Sequence, residues 1–452
     1  MRISRDLTAT FAGVVGIAML LASLQSLTAS PNASGPPPPE YVHFIGHSQA
    51  ALYRPDPEEY PDPTIGVLHV HRTGNHMNSI ENQELTARGF ISLGLNTHAA
   101  NNEAAVRHDE LIPIDVRAGV DYLYDEVGVD KVVLLGGSGG GPTVTYYQAI
   151  AEKGLAVCQG SEKIVECPDD VRLVGRPADA VILRDAHPGL TTNRLRSLNP
   201  AVRSEASPER VDASLNPYLE RNGYNPNGCS SYSEDFKQRY FEAQANRMNR
   251  LIDDAQEIRT AIDAGNHFPT GDDSFVVHRA RARLVQIDNT IHARTLGSQK
   301  LLKDDRDIVT DIVNTVRTCS PQNKDVDAAY SGGTLDLTVR SFLGVNAIRS
   351  SNSMFGVDYC SSNNSTQCMV QYIEVPTLAV AAQGHYFMRD NEEIMELSAS
   401  VRPDFVVVEG ATHGMGNCGA CDGAPYFNVR ENYFDYIAEW MNTDFTPIAE
   451  MP

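Results

Sequence analysis

The stretch Asp130-Lys-Val-Val-Leu-Leu-Gly136-Gly137-Ser138-Gly139-Gly140-Gly141-Pro142 limits what this chain can fold into more than any other. Lys131 to Leu135 is a short apolar run of the kind that forms a strand buried on both faces. It meets a block of glycines with no spacer, and TVTYYQAIAEKG then continues as a helix. A strand that turns straight into a helix around G-x-S-x-G holds the serine on a strained turn whose neighbours must be small. Such a turn lifts the hydroxyl above the carboxyl ends of the strands, where parallel sheets bind ligands. The helix start adds free N–H groups and positive partial charge. Two other glycine-rich turns do not fit. A dinucleotide loop needs G-x-G-x-x-G, but a start at Gly136 puts Ser138 on the second glycine and a start at Gly137 puts Pro142 on the third. No acidic residue closes a second strand about 20 residues on. A phosphate loop needs G-K-[ST], which is absent here.

The strand patterns around this turn point to an α/β fold with a mostly parallel sheet. Thr64 to His71 and Phe90 to Asn96 read as strands, with helical character between them around Glu81 to Arg88. A helix is predicted over roughly Leu111 to Glu126. Ala178 to Arg184, Thr377 to Ala382 and Phe405 to Glu409 complete the strand set. Near-continuous β-branched strands separated by helices indicate a sheet covered on both faces. The pattern stops after Asp185 and resumes near Pro376, so 41–189 and 373–452 are expected to form the core. Residues 190–372 are expected to form a helical cap inserted after the strand that follows the serine-bearing helix. Its clearest element is Glu234 to Ala264, where Phe236, Tyr240, Met248, Leu251, Ile252 and Ala255 fall on one stripe. A second helix is predicted from Phe275 to Arg294.

The strand, the G-G-S-G-G turn and the helix, placed after several βα units and followed by an insertion and a late histidine, resemble the α/β-hydrolase superfamily. The resemblance covers the chain after residue 40 in element order rather than in close identity. It puts the nucleophile on Ser138. It also implies a histidine in the loop after the last strand, and Phe405-Val-Val-Val-Glu409-Gly-Ala-Thr-His413-Gly fits, with a helix expected from Glu431 to Met441. The third member, an acid, departs from the family pattern, because His385 stands at its usual position after Thr377 to Gly384. Asp185 ends the strand Val181-Ile-Leu-Arg184 and is favoured, and Asp390 is the alternative. Either acid keeps the chain order of serine, acid and histidine. The oxyanion donors implied are the N–H of Gly139 and that of Arg72 or Thr73, in the loop where His71-Arg72 replaces His-Gly. His69 and His71 project to one face of their strand, yet lack the further ligands of a hydrolytic metal site, so no metal and no cofactor is expected.

These residues predict a secreted serine hydrolase acting on a carboxylic ester or lactone through an acyl-serine. An acyltransferase or peptidase would carry the same triad, and a non-catalytic binding protein on this fold is the remaining alternative. With 42% hydrophobic and 21% charged residues the chain has the composition of a globular protein. A net charge of -21 argues against nucleic acid or an anionic membrane as the main partner, and the resemblance implies a small-molecule ester or lactone as substrate. Residues 1–30 read as a signal peptide, with Arg2 and Arg5 before an apolar run from Phe11 to Leu24 that is too short to span a bilayer comfortably. An uncleaved N-terminal anchor is the alternative. Residues 31–40, with Pro36 to Pro39, read as a proline-rich linker. The eight cysteines all follow, as a disulfide framework would. Cys158 with Cys167 and Cys360 with Cys368 are the preferred local pairs, and Cys418 with Cys421 a tight one. Asn363 and Asn364 head overlapping glycosylation sequons.

Overall fold

The computed structural model describes residues 36–451 apart from 45, 47, 100–108, 266–270 and 320–323, so the expected signal peptide and residues 31–35 of the linker lie outside it. The strands are β1 (Glu40–His43), β2 (Gln49–Tyr53), β3 (Ile65–His71), β4 (Ile91–Asn96), β5 (Lys131–Gly137) and β6 (Ala180–Arg184). They continue with β7 (Ser274–Val277), β8 (Gln299–Leu302), β9 (Ile308–Asp311), β10 (Leu335–Thr338), β11 (Ser350–Asn352), β12 (Gly356–Val357), β13 (Thr377–Ala382) and β14 (Pro403–Val408). A 10-stranded sheet runs in the order β1-β2-β4-β3-β5-β6-β13-β14-β8-β9. From β4 through to β8 every neighbouring pair is parallel. Antiparallel pairs close both edges. The order reverses between β4-β3 and β5, which is where such sheets open a crevice for a ligand.

Alternation along each strand supplies two cores. Leu68, Val70, Val132, Leu134, Leu183 and Val407 face α2 (Ile112–Tyr122) and α3 (Gly140–Lys153), meeting Val116, Val120, Val144, Tyr147 and Ile150. Val67, Val133, Leu135, Ile182, Val380 and Val406 face the other way. They meet Leu85 of α1 (Ile80–Thr86) and Tyr433, Ile437 and Trp440 of the helix Val429–Asn442. Each such side chain contributes about 1.5–3 kcal/mol when fully buried, so packing on both faces fixes which strand ends stand together.

Between β6 and β13 the chain leaves the sheet through α4 (Leu190–Leu195) and builds on α5 (Glu234–Asp263), a helix of 30 residues. Ser233 caps it by accepting the Phe236 N–H, and its apolar stripe continues as expected through Met248, Leu251, Ile252 and Ala255. That stripe packs against Phe342 and Leu343 and against the β7–β10 ladder. Two expectations for this segment are corrected. Phe275 to Arg294 is not a helix. Phe275 and Val277 are buried on β7, a period of two, and only Leu284–Ile287 makes a helical turn. Nor is the sheet silent until Pro376, since β8 and β9 extend its edge beyond β14.

All eight cysteines pair, in the three expected bridges and in Cys229–Cys319, which spans 90 positions. The bridges fit an oxidising compartment. The sequons are corrected too. Asn363 and Asn364 are buried, with Asn363 Nδ2 donating to the Val165 carbonyl and Asn364 Oδ1 accepting the Leu190 N–H, so neither amide is open to a glycan. No helix among the described residues is long and apolar enough to cross a membrane.

Candidate active site

The turn after β5 is as tight as its glycines require. Ser138 has a φ of 53°, a left-handed conformation that a non-glycine residue holds only under constraint. Its N–H donates to the Arg184 carbonyl, and its own carbonyl accepts from Gly141 and from His187. A Cβ on Gly136 would lie 2.5 Å from the Gly140 carbonyl oxygen, so glycine there allows α3 to start immediately over the strand. Strand, turn and helix therefore present the Ser138 hydroxyl at the carboxyl edge of the sheet.

β6 and β14 deliver the other two groups. Asp185 follows β6 directly with a φ of 40°, its N–H donating to the Val380 carbonyl and its Oδ1 accepting from the Ala382 N–H. His413 lies in the loop after β14. Its Nδ1 lies 2.6 Å from Asp185 Oδ2 and its Nε2 lies 2.8 Å from Ser138 Oγ. An ionised carboxylate only accepts, so Nδ1 carries the ring proton and Nε2 is left to accept from the hydroxyl. The structure thus brings Ser138, Asp185 and His413 into one hydrogen-bonded line. Asp390 stands elsewhere, on the first turn of the helix Met388–Glu396, with its carboxylate 2.7 Å from Arg196.

Asp185 serves a second imidazole. His385 Nδ1 lies 2.7 Å from the same Oδ2, off the line of a hydrogen bond, and its ring lies tilted against His413 with centroids 4.3 Å apart. Burial works to raise the Asp185 carboxyl, but the facing imidazoles, His385 first, hold it well below the ordinary carboxylate range. His385 itself is pushed down by burial, against the pull of Asp185. In the sequence His385 showed only as a residue displacing the usual acid. Its place on that acid depends on the turn after β13. Below the line, buried Arg184 donates to the His413 carbonyl at 3.2 Å and faces buried Glu81 at 3.5 Å, which steadies the histidine loop.

The loop after β3 removes one of the two donors that the resemblance implies there. The Thr73 N–H, one of the two donors expected there, is turned into its own loop and donates to His71 Nδ1 at 3.1 Å, and the Gly74 N–H joins it at 3.0 Å. The Arg72 carbonyl accepts from Thr97. His69 and His71 share no ligand geometry, because His69 Nδ1 faces Ser79 and Glu81 while His71 Nδ1 is occupied by the two amides. Among the described residues, the side chains that could gather round a metal are Asp185, His385 and His413, whose ligand atoms lie within 4.8 Å of one another. An ion there would take the Nδ1 that Asp185 now holds. A cavity of about 760 Å³ lies between α5 and the helix Met388–Glu396, lined by Phe241, His292, Met354 and Arg389 and not by Ser138 or His413.

No known family profile matches the sequence, and no curated protein does. Among solved structures it is similar to a soluble variant of monoglyceride lipase from Saccharomyces cerevisiae, at 11% identity and a TM-score of 0.39, covering 91% of this chain and 97% of that one. It is likewise similar to dienelactone hydrolase from Anabaena variabilis, at 10% identity and a TM-score of 0.34, covering 90% and 98%. Proline iminopeptidase from Mycobacterium smegmatis stands at 11% identity and a TM-score of 0.36, with the same coverage. The parallel run from β4 to β8, the serine turn after β5, the long excursion after β6 and the histidine loop after β14 give this chain the α/β-hydrolase fold.

Proposed function

We propose that this chain is a secreted serine hydrolase that cleaves a carboxylic ester or lactone through an acyl-serine intermediate. One observation carries the reading: the unbroken line from Ser138 Oγ through the His413 ring to Asp185, at a serine held with positive φ. Ser138 attacks the acyl carbonyl while His413 Nε2 takes its proton, and Asp185 orients the ring and stabilises its charged form. The Gly139 N–H at the head of α3 offers one donor to the oxyanion. His413 then protonates the departing alcohol, and a water activated by the same ring releases the acid. No cofactor enters these steps. The insertion after β6, apart from the sheet strands β8 and β9, acts as a cap that shapes the pocket. Secretion accords with the basic and apolar start of the chain and with eight paired cysteines.

The test is release of p-nitrophenol from acyl esters of increasing chain length by the mature protein and by Ser138→Ala. Wild type should turn over at least one ester, and Ser138→Ala should lose about 10⁶ in turnover with its fold intact. A folded wild type silent on all esters and lactones would contradict the reading.

A further inference from the structure

His71 ends β3 beside the serine turn, and its own loop fixes the ring. Nδ1 accepts the N–H groups of Thr73 and Gly74 at 3.1 and 3.0 Å. A ring nitrogen that accepts carries no proton, so in the neutral imidazole the proton sits on Nε2. Burial, helped by Arg72 and the neighbouring histidines, pushes His71 down to about 2 and keeps the ring neutral. Nε2 stands against Gly139, since a Cβ on that residue would lie 2.6 Å from it, closer than real contacts come. The absence of a side chain at 139 is what admits the ring. His187 flanks Gly139 from the β6 side, its Nε2 3.1 Å from the same Cβ position.

The first oxyanion donor expected here is the Gly139 N–H itself. The second is expected from the loop after β3, at Arg72 or Thr73, and of these the Thr73 amide is tied to His71 Nδ1. That same bond directs the imidazole N–H toward Gly139. Resting on the proposed reaction at Ser138, we propose that His71 Nε2–H is a catalytic hydrogen-bond donor to the substrate carbonyl oxygen as it becomes an oxyanion. As Ser138 Oγ bonds to the carbonyl carbon, the π pair moves onto oxygen, where Nε2–H and the Gly139 N–H stabilise it without giving up their protons. Collapse returns the pair, breaks the bond to the leaving oxygen, and that oxygen takes the proton held by His413.

The test compares wild type with His71→Leu, which removes the donor, and His71→Gln, which keeps an N–H on a similar reach. Ester turnover and stoichiometric labelling of Ser138 by a fluorophosphonate in wild type come first, because they test the hydrolase reading alone. His71→Leu should lose about 100- to 1,000-fold in kcat, with KM within about threefold. Its affinity for a trifluoromethyl ketone, whose adduct bears an oxyanion, should fall by the same factor. His71→Gln should recover about tenfold or more of both, and the loss should be equal between about pH 6 and 8, where the donor does not titrate. An active, labelled wild type beside a folded His71→Leu with unchanged kcat and ketone affinity overturns the imidazole donor and leaves the hydrolase reading standing. If the leucine variant does not fold, ¹⁵N-histidine NMR of wild type decides. The His71 Nε2–H proton should move downfield in the ketone adduct, and an unmoved signal overturns the proposal. A wild type that neither turns over nor takes the label overturns both readings.

Discussion

The carboxyl edge of the sheet and the insertion after β6 handle buried charge in opposite ways. At the sheet edge, apolar strands packed on both faces set the geometry, and Asp185 and His413 meet as consequences of where β6 and β14 end. In the insertion, ladders are short, and buried charges do the holding. Arg196 reaches out of it to Asp390 on the core helix Met388–Glu396 at 2.7 Å, Arg247 reaches Glu205 at 2.6 Å and two backbone carbonyls, and Asp327 accepts from Asn199 and from the Arg281 N–H. Charge at the sheet edge is therefore available for chemistry, whereas in the insertion it adds to the packing of α5.

Exchanging the two aspartates for their amides tests that contrast most sharply. Asp185→Asn should lower ester turnover about 10⁴-fold by favouring the wrong tautomer of His413, with the fold retained. Asp390→Asn leaves Arg196 buried without its counter-charge and should reduce stability by roughly 3 kcal/mol in urea unfolding, while kcat survives. Loss of turnover in Asp390→Asn at full stability would reverse the assignment of the two residues.

Acidification should divide the regions less sharply. Burial lowers His69, His187 and His385 below the usual imidazole value, and holds His76 at about 4. The unfolded chain then binds protons that the folded chain refuses, so stability falls as pH drops from about 6.5 toward 4. A fully buried ring such as His69 contributes about 1.4 kcal/mol per pH unit to that loss. The depressed Asp185 adds to it below the ordinary carboxylate range. In the insertion Asp327 is raised by burial, so its contribution is kept at low pH and lost as pH rises. Trp440, the one tryptophan, lies in the sheet core and reports on it directly. Its emission midpoint in urea should be lower at about pH 5 than at 7.5, and a midpoint independent of pH would contradict these burials.

The same contrast decided what could be read from the letters. The serine turn was legible because Gly136 to Gly141 state its geometry outright, and Asp185 and His413 because each follows a buried strand. β8 was not, since Gln299 and Lys300 give this four-residue strand no apolar run. Phe275 to Arg294 carries apolar residues at helical spacing, but Phe275 and Val277 alternate against β10. The parts played by His385 and His71 depend on which way backbone amides and a turn point, which only the folded loops determine.

The central claim, that Ser138 is the nucleophile, is tested most directly by treating the folded protein with a fluorophosphonate and locating the adduct by peptide mass. The account predicts one label per chain, on Ser138, and none in Ser138→Ala or after prior reaction with an ester-like inhibitor. A label on another residue, or a folded protein that takes none, would contradict it.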